Sequence, residues 1–106
     1  MSKSKYGARK TVIDGITFDS AKEARRWAEL RLLERSGEIE GLVRQVKFEL
    51  IPANDRFRAC TYIADFVYMD KDGHLVVEDT KGYRTAEYRI KRKLMYDRHG
   101  IEIQEV

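Results

Sequence analysis

The chain is poor in cysteine, proline, histidine and continuous apolar sequence. Its single cysteine, Cys60, excludes an internal disulfide and any zinc site built on several cysteines. A reducing, intracellular compartment fits that usage, and on a strand Cys60 reads as a small apolar side chain. The two histidines, His74 and His99, each adjoin a glycine and read as surface residues, not ligands. No apolar run is long enough for a signal peptide or a membrane span, so neither is expected. The one proline, Pro52, marks the end of a strand. With no internal repeat and no linker, 106 residues read as one small domain with a modest core.

Charge is what the chain has in quantity, and it is unevenly placed. Residues 1–10 carry Lys3, Lys5, Arg9 and Lys10 with no acid, a net of +4. Residues 84–98 carry Arg84, Arg89, Lys91, Arg92, Lys93 and Arg98 against Glu87 and Asp97, again +4. The whole chain is +3, so the remainder is −5. A basic arm and a basic helix around an acidic middle suit a polyanion gripped by its backbone, with carboxylates kept for a metal. A solvated arm and a solvated helix face are the plainer reading of the same numbers.

Residues 1–10 read as a flexible basic arm and 11–106 as a single domain. Thr11 to Phe18 reads as a short hairpin around Asp14-Gly15. Ser20 followed by Glu23 is a capping box, so a helix starts near Ser20, runs to about Arg35 and stops at Gly37. Its expected buried stripe is Ala21, Ala24, Ala28 and Leu32, with Glu23, Trp27 and Leu30 on the flank. Leu42 to Ile51 reads as a strand, followed by a polar loop bearing Arg56 and Arg58. Gln45 on that strand reads as a surface hydrogen-bonder within reach of a site. Cys60 to Met69 and His74 to Lys81 read as two strands joined by a tight loop that Gly73 closes with a positive φ. Thr85 to Arg98 reads as a second helix stopped by Gly100, burying Ala86, Ile90 and Leu94, with Tyr88 and Tyr96 at the edge of the packing. Ile101 to Val106 alternates and reads as a last strand. A helix between the last two strands implies an α/β fold: a mixed central sheet flanked by two main helices, with a short amino-terminal hairpin.

The candidate chemistry lies on the two strands around Gly73. If Asp70 pairs with His74, Asp65 falls opposite Asp79, and the two-residue period points Lys81 the same way as Asp79 and Glu78 the other. Ile63 and Val67 would then flank Asp65, leaving a carboxylate among apolar neighbours that a cation would relieve. Two converging carboxylates suit Mg²⁺ or Mn²⁺, which prefer hard oxygen ligands. A lysine beside them can orient a water or stabilise charge on phosphoryl oxygens. On spacing alone the plainer account comes first: Asp65 as a strand-end residue, and Asp79 and Lys81 as an ordinary i,i+2 ion pair on a solvated face.

Ile63-Ala64-Asp65 followed by Asp79-Thr80-Lys81-Gly82 resembles the signature of the PD-(D/E)XK nucleases, with Ala64 at the proline position and Glu78 as a competitor for the acidic one. Phe18-Asp19-Ser20, Glu23-Ala24, Trp27 and Gln45-Val46-Lys47-Phe48 resemble the amino-terminal half of small phage and prophage nucleases of that superfamily. The chain is also similar to the endonuclease subunit of heteromeric transposases and to phage endonuclease-I type Holliday junction resolvases. The resemblance spans about Ile16 to Gly100. It implies a restriction-endonuclease-like core and a metal-dependent endodeoxyribonuclease of a bacterial or phage-infected cytoplasm. Asp65, Asp79 and, on the first helix, Glu23 would hold the Mg²⁺ or Mn²⁺, and Lys81 would be the catalytic lysine. Lys91 and Lys93 would lie nearest the DNA, beside Arg84, Arg89, Arg92 and the arm. A small chain with one site implies a homodimer, and two sites across a twofold axis imply branched DNA such as a four-way junction, or else duplex. Two other classes keep the same residues: a non-catalytic basic DNA-binding module, and a subunit of a phage or transposition complex.

Overall fold

Asp14 and Gly15 both take positive φ, 53° and 75°, and so close a two-residue turn between β1 (Thr11–Ile13) and β2 (Ile16–Phe18). The computed structural model describes residues 10–80 and 83–106; the expectations for Lys3, Lys5, Arg9 and Lys81 lie outside these residues. After the hairpin come α1 (Ala21–Arg35), β3 (Glu40–Ile51), β4 (Cys60–Met69), β5 (Leu75–Asp79), α2 (Ala86–His99) and β6 (Gln104–Glu105). Among the described residues the main sheet has the order β3-β4-β5-β6. Its first three strands run antiparallel, and β6 joins β5 in parallel after the α2 crossover. This is a mixed α/β sheet with two helices and a separate small hairpin. No helix among the described residues is long and apolar enough to cross a membrane.

Local signals hold at the element ends. The Ser20 hydroxyl accepts the Glu23 amide at 3.1 Å and starts α1. Thr85 does the same for Tyr88 at 3.0 Å and starts α2. Gly100 at φ 66° ends α2. Gly73 at φ 80° closes the β4–β5 loop, in which the Asp70 amide donates to the His74 carbonyl. The ladder Phe66↔Glu78, Val67↔Val77, Tyr68↔Val76 and Met69↔Leu75 is the expected register, and it ends one residue short of Asp65 and Asp79.

The helix faces differ from the expected ones. In α1 the buried residues are Glu23, Ala24, Trp27 and Leu30, while Ala21, Ala28 and Leu32 are exposed. In α2 they are Tyr88 and Met95; Ala86 and Ile90 are exposed and Leu94 is half-buried. The reason is area: a Trp, Tyr, Leu or Met removes far more apolar surface from water than an alanine, so the rotation that buries the large residues wins. Trp27 sits between Phe18 and Phe66, with ring centroids 6.0 and 6.2 Å away, and Tyr88 lies 6.4 Å from Tyr62. Leu30→Ala is therefore expected to destabilise by about 3 kcal/mol and Leu32→Ala by less than about 0.5 kcal/mol in urea unfolding. Equal effects would mean that α1 is rotated from this packing. The last strand is also shorter than expected: only Gln104–Glu105 pairs, because Ile101 and Ile103 turn into the α2-side core instead.

The sheet itself changes hands midway. Leu42, Phe66 and Tyr68 pack with Phe18, Trp27 and Leu30 on the α1 side. Val46, Phe48, Leu50, Tyr62 and Ala64 pack with Tyr88 and Met95 on the α2 side. All are even-numbered, and a regular strand would put each strand's set on one face. The switch falls between Arg44↔Phe66 and Val46↔Ala64, at Gln45 and the Asp65 opposite it. Gln45 has φ 54°, a conformation that a side chain with a Cβ disfavours by roughly 1–2 kcal/mol. The expectation that Ile63, Asp65 and Val67 share an environment fails here: Ile63 is exposed and Val67 is buried.

Candidate functional site

Three elements deliver carboxylates to the region of this switch: α1 supplies Glu23, β4 supplies Asp65 and the end of β5 supplies Asp79. Glu23 is buried at the first turn of α1. Its carboxylate accepts a hydrogen bond from Gln45 Nε2 at 3.2 Å and lies 3.9 Å from Arg44 Nη2. The same Gln45 nitrogen donates to Asp65 Oδ1 at 3.4 Å. Asp65 Oδ2 accepts from both the amide and the hydroxyl of Thr80, each at 2.8 Å. One amide group thus links two acids, and one of those acids clamps the chain immediately after β5.

Asp79 is held separately. It is 1% exposed, and its carboxylate accepts the Tyr62 hydroxyl at 2.6 Å. Burial, and then the hydrogen bond to Asp79, drive the Tyr62 phenol far above its ordinary range. Glu78 points to the α1 side, as the two-residue period requires. Arg26 Nε and Nη2 grip its carboxylate at 2.7 Å each, and Tyr68 donates a short hydrogen bond to it. Burial and then Glu78 push the Tyr68 phenol up to about 12. Glu78 is therefore committed to tying β5 to α1.

Glu23 titrates above the ordinary carboxylate range, first because it is buried, then because Asp65 and Asp19 lie near; Arg44 and Gln45 only partly oppose this. Hard oxygen donors carrying surplus negative charge are the donor set that a divalent cation fits. Glu23 and Asp65 meet that test. Asp79 meets it once its carboxylate leaves the Tyr62 hydroxyl. A raised folded-state pKa means that the charged form of Glu23 disfavours the fold at neutral pH. Glu23→Gln is thus expected to raise the melting temperature at pH 7 in chelator. An unchanged or lower value would show that the Glu23 charge is already compensated.

Glu23, Asp65 and Asp79 do not form a closed trio. Among the described residues, the acids and imidazole whose ligand atoms all lie within 4.8 Å of one another are Asp70, Asp72 and His74, in the β4–β5 loop. That cluster is explained by the turn: Asp70 Oδ1 accepts the Asp72 and His74 amides, at 2.9 Å each, and Oδ2 lies 3.6 Å from the His74 ring.

The basic residues divide into engaged and open. Lys91 pairs with Glu87 at 2.9 Å. Arg84 grips Glu105 through two nitrogens, and Arg92 lies 3.8 Å from the same carboxylate. Arg84, Arg89, Arg92, Lys93 and Tyr96 line an open groove of about 850 Å³ beside α2. Lys10 is exposed.

Arg26, Thr80 and Tyr62 were not expected at the site. Thr80 adjoins the candidate acid, which is a usable signal. Arg26 and Tyr62 carry none, because their partners are far away in sequence. For Gln45 the sequence suggested reach but not its bridging position, which depends on a backbone conformation rare for glutamine. No curated protein and no solved structure matches the chain. The model of one family, described as a protein of unknown function (DUF1064), matches residues 3–105. With nearly its whole length matched, the chain belongs to the DUF1064 family.

Proposed function

We propose that this protein is a divalent-metal-dependent DNA endonuclease with a restriction-endonuclease-like core. The observation that carries the reading is the Gln45 bridge between the buried Glu23 and Asp65, with Asp65 bound in turn to the residue that follows Asp79. Burial first, and then the neighbouring Asp65 and Asp19 charges, raise the Glu23 pKa, so a cation between Glu23 and Asp65 would offset both. In this reading Glu23, Asp65 and Asp79 hold Mg²⁺ or Mn²⁺. The ion, when bound, supplies a polarised phosphodiester and a water of lowered pKa. Gln45 orients the Glu23 and Asp65 carboxylates. Lys81, two residues beyond Asp79 in sequence, steadies the attacking water or the charge on the phosphoryl oxygens. The basic residues of α2 and the arm grip the phosphate backbone. A homodimer would set two such sites across a twofold axis, suited to a four-way junction.

The test is cleavage of labelled single strand, linear duplex and four-way junction, with Mg²⁺, with Mn²⁺ and with chelator. The reading requires metal-dependent cleavage, and the preferred DNA identifies the substrate. DNA binding with no cleavage of any of the three defeats it. That outcome favours the second reading, a basic DNA-binding module or a subunit of a phage or transposition complex. In its favour, Asp65, Glu23 and Asp79 each already have hydrogen-bond partners within the protein.

A further inference from the structure

We infer that the groove beside α2 binds an unpaired strand of nucleic acid, with its phosphates on Arg89 and Lys93 and a base stacked on Tyr96. This deepens the endonuclease reading by naming the strand next to the cut, and it stands on a different set of residues.

Arg89, Lys93 and Tyr96 are spaced i, i+4 and i+7, so they form one exposed stripe along α2. Among the described residues neither Arg89 nor Lys93 has an acidic partner within ion-pair distance, whereas Lys91, Arg84 and Arg92 all do. Two like charges one turn apart destabilise a helix slightly. An anion between them reverses that. Tyr96 is 64% exposed, so its ring face is open to a planar partner.

The shape selects the strand. The groove's volume of about 850 Å³ falls within the range that encloses small organic molecules, and so holds a nucleotide or two. A base in a duplex is already stacked and cannot also lie on Tyr96, whereas an unpaired base gains stacking there. Asp97 and Glu102 also line the groove, which disfavours lining every wall with phosphate, as a duplex backbone would. The location is consistent. Glu105, which the groove residues Arg84 and Arg92 contact, pairs in register with Asp79. A strand leaving Asp79 therefore needs to cross only one strand of sheet to reach the groove.

The experiment is fluorescence anisotropy in chelator, so that nothing is cut. The probes are an oligothymidine of about 16 nucleotides and a blunt duplex of the same length. Tyr96→Ala is expected to weaken oligothymidine binding about tenfold and duplex binding less than about twofold, while Tyr96→Phe keeps native affinity. Arg89→Ala with Lys93→Ala should flatten the single-strand salt dependence by about 1.4 in log–log slope. Equal loss on both probes, no loss with Tyr96→Ala, or no single-strand binding by the native chain overturns the inference. Because the readout is binding without metal, it is independent of cleavage. A chain that holds single strand through Tyr96 but cuts nothing keeps the groove and loses the nuclease. One that cuts but ignores Tyr96 does the reverse.

Discussion

If the proposed endonuclease reading holds, Asp79→Asn is expected to lower Mg²⁺-dependent cleavage about a thousandfold, the equivalent of roughly 4 kcal/mol of transition-state stabilisation, while leaving DNA affinity within about twofold. Asparagine keeps the side-chain shape and an oxygen that accepts the Tyr62 hydroxyl, so the fold should survive. What it loses is the negative charge that a divalent ion requires. Asp65→Asn should behave alike, because its remaining oxygen can still accept from Thr80. Tyr62→Phe makes a sharper test. It frees the Asp79 carboxylate from its hydroxyl partner, so it should lower the Mg²⁺ concentration needed for half-maximal rate. Native-like cleavage by Asp79→Asn removes Asp79 from the metal site and leaves the Glu23–Asp65 pair to be explained without it.

The largest loss of stability is expected from Arg26→Ala. Glu78 is 1% exposed, and Arg26 meets both of its oxygens at 2.7 Å. Removing the guanidinium leaves the buried Glu78 charge uncompensated, with the Tyr68 hydroxyl still donating to it, and breaking a buried pair in this way destabilises by about 3–5 kcal/mol. A domain of this size has about 5–15 kcal/mol in all, so the melting temperature should fall by more than about 10 °C. The double variant Arg26→Met with Glu78→Leu should recover most of that loss, because apolar packing can replace a buried ion pair at little cost. If Arg26→Ala alone melts within a few degrees of the native chain, Glu78 is reached by water and the clamp between α1 and β5 is not a determinant of the fold.

The element boundaries were largely legible in the sequence because they depend on local chemistry. Ser20 and Thr85 cap helices through their own hydroxyls, Gly73 and Gly100 permit positive φ, and the Asp14-Gly15 pair closes its hairpin. The β4–β5 register, from Met69↔Leu75 to Phe66↔Glu78, followed from the loop length. The buried faces were less legible. A stripe of alanines has the right period, but period says nothing about how much surface each residue removes from water, and Trp27, Leu30, Tyr88 and Met95 decided the rotation.

Sequence by itself therefore determined where the helices and the amino-terminal hairpin begin and end, the α/β order, the register of β4 on β5 and the division of charge along the chain. Only the tertiary structure decided how the acids are grouped. A strand's period of two assigns Asp65 and Asp79 to one face, and that assignment holds only while the backbone stays regular. It breaks where the packing of the strand pair switches faces, beside the left-handed Gln45: Asp65 bonds Gln45 and Thr80, while Asp79 accepts the Tyr62 hydroxyl. No local signal marks a glutamine for that conformation. It falls where the packing of the strand pair passes from the α1-side cluster to the α2-side cluster, and the surrounding packing holds it.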